Sequence, residues 1–241
     1  MDFSRCELIR KIPDLSMTPN IKRLYLGFCK NLVEVDESVG RLHKLEVWDL
    51  TNCDKLEALP SCLTMKSLTT FELVGCTRLK KFPNILHEMN GLGELELLNT
   101  GISELPPSFG NLTGLKMLNI GAHLKQVRLP GSIYTLQHLE TLDLSGCVTF
   151  PKDVEIDRQP LCNSYGGFSN YIFPRLNKLS LDSFTNRSEI DFILNCCCPL
   201  TLKELVIGYC KKIVTLLESI SRFERLHRLD VRNTERLYCI S

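Results

Sequence analysis

"LTNCDKLEALP" (residues 50–60) sets the frame Leu-x-x-Cys-x-x-Leu-x-x-Leu-Pro. "LGFCKNLVEV" (26–35), "LVGCTRLKKFP" (73–83) and "LSGCVTFP" (144–151) repeat it. A cysteine returning about every two dozen residues can signal disulfides, a metal site, catalysis or the geometry of a coil.

Extended upstream, the frame reads Leu-x-x-Leu-x-Leu-x-x-Cys. Its second apolar position falls at Leu24, Trp48, Phe71, Leu95, Leu118, Leu142, Leu179, Leu205 and Leu229, in steps of 24, 23, 24, 23, 24, 37, 26 and 24. A period this regular marks a stack of repeated units. Leu-x-Leu alternation gives a short strand with one face buried. Stacking such strands makes a parallel sheet on a concave face. Pro after an apolar residue (Ile12-Pro13, Leu59-Pro60, Phe82-Pro83, Leu105-Pro106, Leu129-Pro130, Phe150-Pro151) marks the chain leaving that layer, where no ladder donor is needed. Then comes Ser-apolar-x-x-apolar-x-x-Leu, as in "SVGRLHKL" (38–45) and "SFGNLTGL" (108–115), with Ser expected to cap a single helical turn. The expected fold is α/β, a leucine-rich-repeat solenoid (a horseshoe). It has a parallel concave sheet, short helical or 3₁₀ convex turns and nine to ten repeats. Residues 1–151 read as regular repeats, 152–172 as an insertion and 173–241 as less regular repeats, with no separate second domain.

Six of the twelve cysteines, Cys6, Cys29, Cys53, Cys76, Cys147 and Cys210, hold the repeated position. Thr100, His123, Phe184 and Thr234 hold it in other coils, a set of swaps that a disulfide framework would not tolerate. A small, apolar, weakly donating thiol suits a buried ladder serving backbone carbonyls. "NCCCPL" (195–200) is expected to hold no metal, since adjacent residues cannot all face one ion and no second Cys/His pair lies at finger spacing.

Charge is balanced, 29 Lys+Arg against 28 Asp+Glu, which gives no polycationic reason to expect nucleic acid. No apolar run approaches the ~18–20 residues that span a bilayer, so no membrane is expected. "MDFSRCELIRKIPDL" lacks a signal peptide's apolar stretch and is already in register. Both chain ends interrupt a repeat without a polar cap, so the chain is expected to be part of a larger protein.

Solenoids bind through the concave sheet. Its outward positions carry Glu46, Asp49, Glu72, Glu94, Glu96, Glu140 and Asp143, an acidic stripe flanked by Lys22, Arg23, Lys178, Lys203 and Arg228. Tyr25, Phe28 and Tyr209 are the aromatic anchors expected at an interface. Two readings of the stripe stay open: charge that keeps strands soluble, and a field that steers a basic partner. Catalysis is not expected. The five histidines form no set with Ser, Cys or Asp, and Glu72 and Glu96 on an exposed sheet have no cause for one pKa to rise.

"LYLGFCKNLVEV", "TGISELPPSFGNLTGLKMLNI" and "LPGSIYTLQHLETLDLSGC" resemble the leucine-rich-repeat region of plant intracellular nucleotide-binding disease-resistance proteins, Toll/interleukin-receptor-type subgroup. The resemblance implies a recognition module in plant immune signal transduction. It would bind a pathogen effector or guarded host protein and restrain the receptor's nucleotide-binding module, in the cytoplasm with the nucleus as a second compartment. It implies no cofactor here, since G-x-x-x-x-G-K-[ST] is missing. Three other readings compete. One is a free-standing scaffold or decoy, another a ubiquitin-ligase adaptor. The third is an extracellular ectodomain, suggested by the sequons at Asn111 and Asn186.

Overall fold

A computed structural model describes residues 1–121, 126–144, 148–149, 171–184, 187–210 and 220–234. Each coil contributes one short strand to a nine-stranded parallel sheet: β1 (Arg23–Tyr25), β2 (Val47–Asp49), β3 (Thr70–Glu72), β4 (Glu94–Glu96), β5 (Met117–Asn119), β6 (Thr141–Asp143), β7 (Lys178–Ser180), β8 (Glu204–Gly208) and β9 (Arg228–Arg232). The strands lie in sequence order, and Leu24, Trp48, Phe71, Leu95, Leu118, Leu142, Leu179, Leu205 and Leu229 are Cα partners across the whole sheet. The apolar frame alone therefore gives the register. The 37-residue step still joins adjacent strands β6 and β7; residues 152–170 of the expected insertion lie outside the described residues.

The core is one continuous apolar column, with Leu24, Leu26, Trp48, Leu50, Leu73, Leu95 and Leu97 fully buried. Trp48 stacks on Phe71 at 4.8 Å between centroids, and Phe82 and Phe109 continue the aromatic run at 6.1 and 5.5 Å. Beside each strand the chain turns over four residues, and Cys29, Cys53 and Cys76 N–H groups donate to the carbonyls of Leu26, Leu50 and Leu73.

The convex side carries 3₁₀ turns at Glu37–Arg41, Pro107–Asn111 and Gly131–Thr135, together with two-residue strand pairs such as Lys11–Ile12 with Glu34–Val35. The serines of these turns are not their caps, which corrects the expectation. The cap positions are Asp36, Pro106 and Pro130. Ser38, Ser108 and Ser132 instead accept N–H bonds from neighbouring coils, at Leu15, Ile85 and Gly110. One position inside the turn, the hydroxyl reaches sideways rather than back.

A second difference is α1, a ten-residue helix, Arg187–Cys196, where single turns are expected. It buries Ile190, Ile193 and Leu194 on one face. Arg222 Nη2 donates to the Leu194 carbonyl, and to the Cys197 carbonyl at 3.3 Å. A cation thus meets the negative end of the helix and satisfies its last carbonyls.

The candidate concave interaction face

The thiol ladder sets the edge of this face. Sγ of Cys29, Cys53 and Cys76 donates to the carbonyls of Phe3, Leu26 and Leu50, one coil back in each case, at 3.0–3.2 Å, while the Cys210 thiol is shared between Leu181 O one coil back at 3.4 Å and Gly208 O of its own coil at 3.2 Å. Leu26 O and Leu50 O therefore accept twice, from their own coil's N–H and the next coil's thiol. Burial pushes these thiols up, Cys76 to about 12, with Cys53 higher still. Thr100 keeps the position, but its shorter hydroxyl turns to Leu97 O of its own coil, at 3.1 Å. Cys6 departs from the ladder reading. It lies in the frame but is exposed. Cys147 and His123 lie outside the described residues. Cys196, Cys197 and Cys198 are buried at the end of α1, with the Cys197 thiol donating to Ile193 O. Among the described residues no group of three His, Cys, Asp or Glu could hold a metal ion.

One residue before each ladder position whose neighbour is described, the backbone enters the left-handed region. It does so at Arg5, Phe28, Asn52, Gly75, Asn99, Ser183, Tyr209 and Asn233, with φ between 53° and 80°. The amide there donates to the next coil, as Phe28 does to Thr51 O and Tyr209 to Arg232 O. Asn and Gly tolerate this conformation; a bulky side chain in it is an outlier. Phe28 and Tyr209 are such outliers, 42% and 53% exposed. Arg5 covers the Phe28 ring at 5.3 Å. Seven strand spacings, roughly 34 Å, separate the two aromatics, so they do not form one cluster. Tyr25 is half-buried on β1, near Phe28.

The acidic residues divide. Glu46 pairs with Lys22 at 2.9 Å. Asp49 accepts the Thr51 N–H at 2.8 Å and lies against Gly27, where an added Cβ would come within 2.7 Å of its oxygen. Both therefore have local structural work, as does Asn119, which accepts from Gly121. Asp143 is half-buried on β6, two strands past Glu96. Glu72, Glu94 and Glu96 differ. They have no cationic partner among the described residues, although Glu72 accepts the Thr51 hydroxyl at 3.2 Å, and together they wall a depression of about 470 Å³ floored by Gly93 and Phe71. Gly93 opens it: a Cβ there would meet nothing within 4 Å. The sequence names these carboxylates, but the opening over Gly93 is a missing side chain, and only the register of neighbouring strands reveals it.

Asn111, the sequon residue that falls within the described chain, is half-buried and donates its amide nitrogen to Ile85 O at 2.8 Å. A glycan would attach at that same nitrogen. No helix among the described residues is long and apolar enough to cross a membrane.

Comparison with known proteins agrees with this architecture. Residues 64–241 match the family described as "Disease resistance protein RPS4B-like, leucine-rich repeats". Two curated Arabidopsis thaliana relatives are Disease resistance protein RPP4, 36% identical over 90% of this chain and 17% of its own length, and Protein SUPPRESSOR OF npr1-1, CONSTITUTIVE 1, 39% identical over 59% of this chain and 10% of its own length. This chain thus spans under a fifth of either protein. Among solved structures, the functional domain of InlJ from Listeria monocytogenes, described as including a cysteine ladder, superposes with a TM-score of 0.52 over 96% of this chain and 48% of its own, at 14% identity. That likeness is one of fold. A leucine-rich-repeat module with this sheet and this family match belongs to the repeat region of plant Toll/interleukin-receptor-type nucleotide-binding disease-resistance proteins.

Proposed function

We propose that the concave face over β3 and β4 is a recognition surface of an immune receptor, and that a basic residue of the partner enters the depression over Gly93. The observation that carries this reading is the set of three carboxylates, Glu72, Glu94 and Glu96, around an open floor with no cation of the described chain opposing them. Exposed carboxylates of one sign steer a basic partner and fix its register, an effect that weakens with salt. The partner is a pathogen effector, a guarded host protein or the receptor's own nucleotide-binding module, which the same face restrains. Phe28 and Tyr209 add aromatic contact at the two ends. The proposed compartment is the cytoplasm; buried cysteines without disulfides and the engaged Asn111 amide support it.

The test uses the full receptor that carries this repeat region, expressed in leaf tissue. Glu72→Lys with Glu94→Lys and Glu96→Lys is expected to make it fire without elicitor, if restraint is lost, or fail to fire with it, if recognition is lost. Gly93→Met places a side chain over the depression, its Cβ meeting nothing within 4 Å, and is expected to act in the same direction. Unchanged receptor output, with native circular dichroism of the purified repeats, would sink this assignment.

A further inference from the structure

A second depression lies at the start of the later strands and has the opposite sign. It measures about 310 Å³ and is lined by Glu140, Arg175, Asn177, Leu200, Thr201, Lys203 and Arg225. These residues come from the approach to β6, β7, β8 and β9, where the chain rises onto the concave sheet. Nearby cations are already used, since Lys178 and Arg228 both face Glu204, at 3.9 and 3.7 Å. Arg175, Lys203 and Arg225 are exposed and have no carboxylate within ion-pair distance among the described residues. Leu200, 41% exposed, adds an apolar floor. Glu140 is the single acid on the rim, so the local balance remains positive.

We propose that this depression docks a short acidic peptide segment of a partner protein, with one apolar side chain seated on Leu200. Charge complementarity calls for carboxylates opposite Arg175, Lys203 and Arg225. Guanidinium forks favour planar carboxylates that accept two bonds. The exposed leucine selects a segment with an apolar residue among its acids. A long polyanion fits poorly, because Glu140 lines the depression itself. That carboxylate would repel the continuous charge of a nucleic acid strand or an anionic bilayer, where a short peptide can place an uncharged residue instead. The site is independent of the Gly93 depression, some four strand spacings or ~19 Å away. Its occupant has the opposite charge.

The experiment selects a random twelve-residue peptide library on the 241-residue chain, then measures the enriched peptide by fluorescence anisotropy. The expected enrichment is Asp and Glu around one Leu, Ile or Phe. Lys203→Glu with Arg225→Glu should weaken that peptide by more than about tenfold, and Leu200→Ser by about fivefold, with unchanged melting temperature. Glu72→Lys with Glu96→Lys should leave it bound, which separates this site from the acidic one. The proposal is overturned if the enriched peptides are not acidic or if the reversed variant binds them equally well. It is also overturned if single-stranded RNA or phosphatidylserine vesicles bind through the same cations as tightly as the peptide does.

Discussion

At the residue scale, two repeated positions show what a coil asks of one side chain. The ladder position asks for a side chain apolar enough to be buried, as Phe184 is, and a donor long enough there also reaches the previous coil's carbonyl. A thiol meets both needs, and Thr100 shows a hydroxyl satisfied within its own coil instead. Cys53→Ala should therefore destabilise the chain by about 1–2 kcal/mol, through a lost bond to Leu26 O and a small cavity. The same change at exposed Cys6 should cost less than about 0.5 kcal/mol. Urea midpoints of the two variants decide it, and equal midpoints would refute the ladder's role. The position just before the ladder is left-handed. Phe28→Asn should raise stability by about 1 kcal/mol, since the aromatic side chain costs ~1–2 kcal/mol there and its contact with Arg5 returns less. A melting temperature that falls in this variant would show Phe28 to be a packing residue. Asn52, Gly75, Asn99 and Asn233 are the residue types that fit this position, but it was not identified from the sequence; Phe28 and Tyr209 obscure it, because propensity alone gives them ordinary backbone angles.

At the element scale, the strands were legible and the convex elements were only partly so. A strand of three residues follows from Leu-x-Leu, because the next coil supplies every hydrogen bond it needs. The serine caps were misread for a physical reason: an N-cap and a residue two places into the turn have the same composition, and only the lateral neighbour decides which bond forms. Helix α1 was missed although Ile190, Ile193 and Leu194 follow helical spacing, since the short convex turns elsewhere set the wrong template. Its end depends on Arg222, about one coil later in sequence. Arg222→Met keeps the apolar stem but removes the charged donor to the Leu194 and Cys197 carbonyls, leaving Leu194 O with the Cys197 N–H alone. The loss should be about 1–2 kcal/mol, with faster amide exchange in the last turn of the helix. Lys in its place should restore only part, being a point charge rather than a fork. Exchange rates unchanged in Arg222→Met would mean that packing alone holds the helix end.

At the scale of the whole molecule, the buried thiols tie stability to pH. Their folded pKa values lie above those of free thiols, about 8.5–9, with Cys76 at about 12. Above pH ~9 the unfolded chain loses these protons first and binds fewer than the folded one, so stability falls as pH rises toward 12. Below that range the contribution is fully present. Melting temperature should hold steady from pH 6 to 8 and drop beyond ~9, more shallowly in Cys53→Ala with Cys76→Ala. An equally steep drop in the double variant would assign the alkaline loss to other groups. In the native chain, iodoacetamide should modify Cys6 and the half-buried Cys62 well before the ladder thiols.

The sequence by itself determined the solenoid, its register, the order of strands and the family, because an apolar period with interchangeable ladder residues has one way to bury itself. It also named the acidic stripe, since alternation puts every second residue outside. The tertiary structure decided which of those charges face a cation or their own turn and which line an opening. Glu46 is neutralised by Lys22 from the previous coil, and Asp49 is spent on its own turn, while Glu72, Glu94 and Glu96 surround a gap left by Gly93. Those distinctions depend on neighbours about 24 residues away, brought within ~5 Å by stacking, and no local pattern carries them.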